Sequence, residues 1–99
     1  MKILICLLFL AGFLSAGPLE LKDGDRVTFV GGTFVERETE YSLIETYLTL
    51  ANPDKDIKFR NLGWSADTVK GESRGYFKVK EGYGLLLQKV GETKPTVIV

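Results

Sequence analysis

The sequence predicts an α/β domain, a three-layer α/β/α arrangement around a parallel sheet, of which three strands are present. Three observations carry this. Runs rich in β-branched and aromatic residues at 26–30, 57–61 and 96–99 have strand character. Helical spacing of apolar residues fills the intervals between them. Turn residues, Gly31-Gly32, Asn52-Pro53-Asp54 and Lys94-Pro95, punctuate the changes of pattern. Strand and helix in alternation imply parallel strands joined by right-handed crossovers, with helices on the faces.

The first strand follows the turn Asp23-Gly24-Asp25 and stops at Gly31-Gly32. Over 37–51, Tyr41, Ile44, Leu48 and Ala51 recur at three-to-four spacing, with Tyr47 and Leu50 widening the stripe, which predicts one amphipathic helix. Pro53 ends it, because proline has no N–H for the ladder. The second strand, 57–61, runs into the loop NLGWSADTVKGESRGYF. A second helix falls between Gly82 and Gly91, with Leu85, Leu86, Leu87 and Val90 as its apolar part, and the strand 96–99 follows Lys94-Pro95. In open parallel sheets ligands bind at the carboxyl ends of the strands. The loops 31–36 and 62–68 both lie at such ends, so they should face one side of the sheet.

Both ends of the chain are distinctive. MKILICLLFLAGFLSAG carries Lys2, an apolar run over 3–14 and then the small residues Ser15, Ala16 and Gly17. This is the layout of a secretory signal peptide, and the run is shorter than the ~20 residues that cross a bilayer. The reading is a signal peptide at 1–16, a secreted or periplasmic product and no stable membrane anchor after cleavage. Cleavage after Ala16 would remove Cys6, the only cysteine, leaving a mature segment, 17–99, without a disulfide. At the other end, KPTVIV stops on a strand with no polar tail, and an exposed edge of this kind invites aggregation. The chain is therefore expected to continue beyond Val99.

Composition narrows the function classes. The 99 residues include 13 basic and 13 acidic residues and no histidine. A balanced charge without a basic stripe disfavours nucleic acid as a partner. Without histidine, and with its one cysteine in the leader, the mature segment holds no nitrogen or sulfur metal site. Thr33 after two glycines matches neither a dinucleotide nor a Walker phosphate loop, and Val35 stands where a G-x-S-x-G elbow needs glycine. Taken alone, GGT is a turn. Glu36, Glu38 and Glu40 complement the positive end of the helix beginning there, at about 0.3–1 kcal/mol each. Asp23/Asp25 and Asp54/Asp56 sit in turns. Trp64 either packs against a helix or lines a pocket, and Gly71 and Gly75 serve loop geometry.

Together, GDRVTFVGGTFVERE, FRNLGWSADTV and KPTVIV resemble the start of the SGNH/GDSL hydrolase family, over residues 21–99; ERE and GESR look like its secreted bacterial members. In that family a strand delivers Gly-Asp-Ser, whose serine is the nucleophile. A second strand delivers Asn-x-Gly-x-Ser-[Gly/Ala]-x-Thr, whose glycine N–H points into the oxyanion hole. The asparagine of a later Gly-x-Asn completes that hole, and an Asp-x-x-His near the end supplies the base. The resemblance implies a flavodoxin-like SGNH fold. It places Thr33 at the nucleophile position and Gly63 at the oxyanion glycine. It implies acyl transfer from a small-molecule or carbohydrate-linked ester to water, with no metal or organic cofactor. The chain departs from the pattern in three ways: Thr33 replaces serine, Gly32 replaces aspartate, and no histidine is present. A non-catalytic binding module with a degenerate GDS motif is the alternative reading, and a short secreted structural domain is a third.

Overall fold

The computed structural model describes residues 18–99. The proposed signal segment and Cys6 lie outside them. In chain order the elements are β1 (Arg26–Phe29), α1 (Thr33–Tyr41), α2 (Leu43–Ala51), β2 (Lys58–Asn61), a 3-10 turn η1 (Glu72–Gly75), α3 (Val79–Thr93) and β3 (Val97–Ile98). The strands form one sheet in the order β2-β1-β3. Both pairings are parallel, with Val27 opposite Phe59 on one side and Val97 on the other. The α/β class and the parallel sheet are as the sequence predicts.

Strand alternation assigns the layers. Val27 and Phe29 point to one face, where they form a core with Leu21, and Val35 of α1, Leu48 of α2, Phe59 and Val97 pack against it. The Phe29 and Phe59 rings stack with centroids 6.0 Å apart. Burying side chains such as these contributes about 1.5–3 kcal/mol apiece. Thr28 points to the other face and is also fully buried. Its hydroxyl meets the Thr93 hydroxyl of α3 at 2.8 Å, and Thr93 donates to the Val90 carbonyl. Thr93 has one proton, already given to Val90, so Thr28 is the donor between the two hydroxyls. Helices thus cover both faces: α1 and α2 on one, α3 on the other.

Two helices replace the single one predicted over 37–51. α1 begins at Thr33, directly after the glycines, and the chain breaks at Ser42, which adopts left-handed dihedrals (φ 50°, ψ 34°). The Ser42 N–H closes α1 on the Glu38 carbonyl, while the Glu38 side chain accepts from the Ile44 N–H at 3.1 Å. One glutamate thereby caps the start of α2 in place of a conventional N-cap residue. Of the acids predicted at the helix start, Glu36 lies in the first turn of α1 and Glu38 serves the next helix. The apolar stripe is only partly used. Leu48 reaches the core, whereas Tyr41, Tyr47 and Leu50 remain exposed, because no described element lies over that side of α2.

α3 is longer than predicted, starting three residues before Gly82 and ending two after Gly91. Gly82 does not weaken its start. It is buried, and its missing side chain lets the Gly71 carbonyl and the Gly75 N–H of the η1 turn lie directly against the helix. Gly71 also takes φ +66°, so it serves both the turn predicted for it and the packing.

The amino-terminal ends of the strands are latched by Asp25. Its carboxylate accepts the Lys22 N–H at 2.6 Å and the Thr96 hydroxyl at 2.7 Å. These two bonds, the Lys22 one first, hold the Asp25 carboxyl below the ordinary carboxylate range. A carboxyl whose pKa is lower folded than unfolded stabilises the fold above its unfolded pKa, and that contribution fades as pH falls through the folded one. Denaturant midpoints should therefore drop on acidification below about pH 4. Asp25→Asn should show a smaller drop, and the remainder includes Glu92, which Lys89 and Gln88 lower in the same sense. An unchanged drop in the variant would exclude the latch as its source.

Candidate functional site

With β1 central, the connection leaving β1 runs to one edge of the sheet and the connection leaving β2 crosses to the other. The carboxyl ends of β1 and β3 therefore flank the point where strand order reverses, which is where open α/β sheets leave a crevice. A crevice of about 320 Å³ lies there, lined by Val30, Gly31, Gly32, Asp67, Thr68, Val69 and Leu86. Thr33 and Ala66 are the chain neighbours of residues on its two walls. A smaller apolar hollow of about 190 Å³ sits beneath the Ser42 break, between Phe29, Val35 and Ile44.

The two loops that the sequence places on one side of the sheet do meet. The Leu62 N–H donates to the Phe29 carbonyl at 2.8 Å and the Trp64 N–H to the Gly31 carbonyl at 3.0 Å. The Ala66 N–H donates to Thr33 Oγ1 at 3.0 Å. Donors at 62, 64 and 66 thus meet acceptors at 29, 31 and 33, which continues the period-two ladder of β1 and β2 beyond the sheet. At its last rung the Thr33 hydroxyl stands where a strand carbonyl would. The chain around Thr33 has by then turned into α1, so its carbonyl is committed to the helix and only the side chain can accept.

Thr33 is the first residue of α1 and is exposed. Its oxygen accepts one amide proton, leaving its own proton free for another acceptor. A negative charge developing on that oxygen would meet both the Ala66 N–H and the positive end of α1. Gly32, where the family motif has aspartate, has φ −86° and ψ −149°, and a Cβ there would lie 3.1 Å from the Asp67 carbonyl oxygen.

Gly63 packs against the same turn of α1. A Cβ on it would fall deep inside contact with the Val35–Glu36 backbone. Its N–H donates to Asn61 Oδ1 at 2.7 Å, and Asn61 Nδ2 donates to the Val35 carbonyl at 2.6 Å. Gly63, which the resemblance would place at an oxyanion hole, thus lies beside the first turn of α1, with its amide held by the Asn61 carboxamide.

Residues that sequence reasoning left aside hold this arrangement. Arg74 donates from Nε to Asp67 Oδ2 at 2.7 Å, and both side chains are almost completely buried (6% and 3% exposed). Arg74 Nη2 donates to the Leu62 carbonyl, and the guanidinium lies 5.7 Å from the centroid of the half-exposed Trp64 ring. Asp67 Oδ1 accepts the Ser73 N–H, and the Ser73 hydroxyl donates to the Ser65 carbonyl. The Ser65 hydroxyl donates to the Glu36 carboxylate, joining loop to helix. Ala66 itself is left-handed (φ 58°), a conformation that costs a residue with a Cβ about 1–2 kcal/mol. The surrounding bonds hold it there.

Among the described residues no three acidic, cysteine or histidine side chains gather as a metal site, and no helix is long and apolar enough to cross a membrane. No family model matches the chain, and comparisons with curated proteins and with solved structures give no match.

Proposed function

We propose that this chain is the amino-terminal part of an SGNH-like ester hydrolase domain, secreted through its leader, with Thr33 at the nucleophile position and Gly63 beside it. The observation that carries the reading is the placement of the Thr33 hydroxyl: exposed, at the first position of the helix after β1, and within 3.0 Å of the Ala66 N–H on the loop after β2. Hydroxyl nucleophiles of acyl transfer need an accessible oxygen in a fixed orientation, and the Ala66 N–H supplies that orientation; the N–H groups that receive the acyl oxyanion are a separate requirement. In the proposed reaction Thr33 Oγ1 attacks the acyl carbon of an ester and its proton passes to a base. The alcohol leaves with a proton, and water then releases the acyl group from the threonine. With no histidine in the 99 residues, this reading requires a base from outside them, such as the family's Asp-x-x-His would supply.

The test is hydrolysis of a chromogenic acetyl ester by the whole protein, encoded past Val99. Thr33→Ala should lower kcat by about a thousandfold or more, the scale on which nucleophile removal acts. Equal turnover by the variant would remove Thr33 from the mechanism. One observation favours the binding-module reading: the Gly63 N–H is engaged by Asn61, so an acyl oxygen must compete with a side chain for it. Specific binding of an ester or carbohydrate without turnover would establish that alternative.

A further inference from the structure

The last rung of the extended ladder depends on a residue far from it in sequence. The segment 62–67 carries the three donors, at Leu62, Trp64 and Ala66, that meet Phe29, Gly31 and Thr33. Arg74 grips this segment at both ends: the Leu62 carbonyl at one and the Asp67 carboxylate at the other. The middle is strained at Ala66 and would relax if either end were let go. A planar guanidinium offers donors in fixed directions, which a lysine ammonium does not. We propose that Arg74 is a positioning residue for Thr33: by clasping Leu62 and Asp67 it holds the Ala66 N–H on the Thr33 hydroxyl oxygen, and so stabilises negative charge on that oxygen. The proposal rests on the reading of Thr33 as nucleophile for its purpose, but its geometry is testable without turnover.

A thiol reports that stabilisation directly, because an amide donor on sulfur favours thiolate. Charged groups near position 33 include Glu36, bonded to Ser65, and the Asp67–Arg74 pair, whose Asp67 backbone faces Gly32, with Arg37 one turn along α1. The experiment uses the same protein as the turnover test, with Cys6 and any other cysteine replaced by alanine, so that Thr33→Cys introduces the sole thiol, and follows iodoacetamide alkylation against pH. The thiol should titrate below the ordinary value of about 8.5. Adding Arg74→Lys, which keeps the cation and loses the fork, should raise the apparent pKa by about half to one unit. At pH 7 that is a three- to tenfold slower alkylation, roughly the change in thiolate fraction. Arg74→Gln should do the same. An unchanged pKa in folded Arg74→Lys would overturn the proposal, as cation charge or the helix end would then explain the shift. A thiol at or above about 8.5 with Arg74 intact would also overturn it, whatever the Arg74 variants do. Ester turnover lost in Thr33→Ala beside an unmoved thiol pKa would sink the Arg74 role alone. A moved pKa in a protein that hydrolyses nothing would sink the hydrolase reading alone.

Discussion

Gly82→Ala should destabilise the fold by about 3 kcal/mol or more, the upper range for atoms forced into a packed interior. The new methyl group would point at the Gly71 carbonyl oxygen and come close to Gly75, both backbone, so no side-chain rotation can make room. α3 must move off the η1 turn, and Leu86, one turn further along the same helix and buried on that side, moves with it. Against a typical total of about 5–15 kcal/mol the loss is large. Gly84→Ala, two positions on, is the internal control. Nothing lies within 4 Å of a Cβ there, so alanine gives only its better helix propensity, about 1 kcal/mol. Thermal melts of the two variants should shift in opposite directions. Equal shifts would mean that the glycine contact is not what seats α3.

Gly63→Ala should be comparably severe, by about 3 kcal/mol, and with a different signature. Its Cβ would enter the Val35–Glu36 backbone, prising the loop after β2 away from the first turn of α1. The Asn61 bridge to Val35 and Gly63 would open, and the Ala66 contact to Thr33 with it. Amide exchange should therefore speed up at Gly63, Trp64 and Ala66, while Thr28 in the central strand stays protected. Uniform acceleration through β1 would show that the glycine supports the whole domain instead of this junction.

What could be read from the sequence follows from which signals are local. The three strands were legible because runs of β-branched and aromatic residues are bounded by glycine, asparagine or proline, and alternation with helical stretches fixed them as parallel. The break at Ser42 was not. The three-to-four spacing from Tyr41 through Ile44 to Leu48 passes across it without a change of period, and the residue that turns left-handed is a serine, not a glycine. Gly82 read as a weakness in a helix because its partners are at 71 and 75, in a loop whose path the sequence does not disclose. Thr33 and Gly63 were marked by resemblance alone, and the meeting of their loops followed from the rule about strand ends. Asp67 and Arg74 carried no such signal, and Ala66 only its match to the [Gly/Ala] position of the resemblance. Charges in a polar loop ordinarily point into water, and only the folded loop shows that Asp67 and Arg74 are buried against each other.

The central place of β1 also sets a schedule for the chain as it is made. β1 is the first of the described strands to emerge from a ribosome, yet one of its two neighbours, Val97, stands 70 positions behind its partner Val27. Its second edge therefore stays open until nearly all of the described chain has appeared. The Thr28 hydroxyl waits 65 positions for Thr93. Contacts this distant in sequence form slowly, and a strand with an unpaired edge is a target for chaperones as well as for aggregation. A chain wired in this way cannot complete the β2-β1-β3 pairing until Val97 has been made, and until then the free edge of β1 is open to other partners.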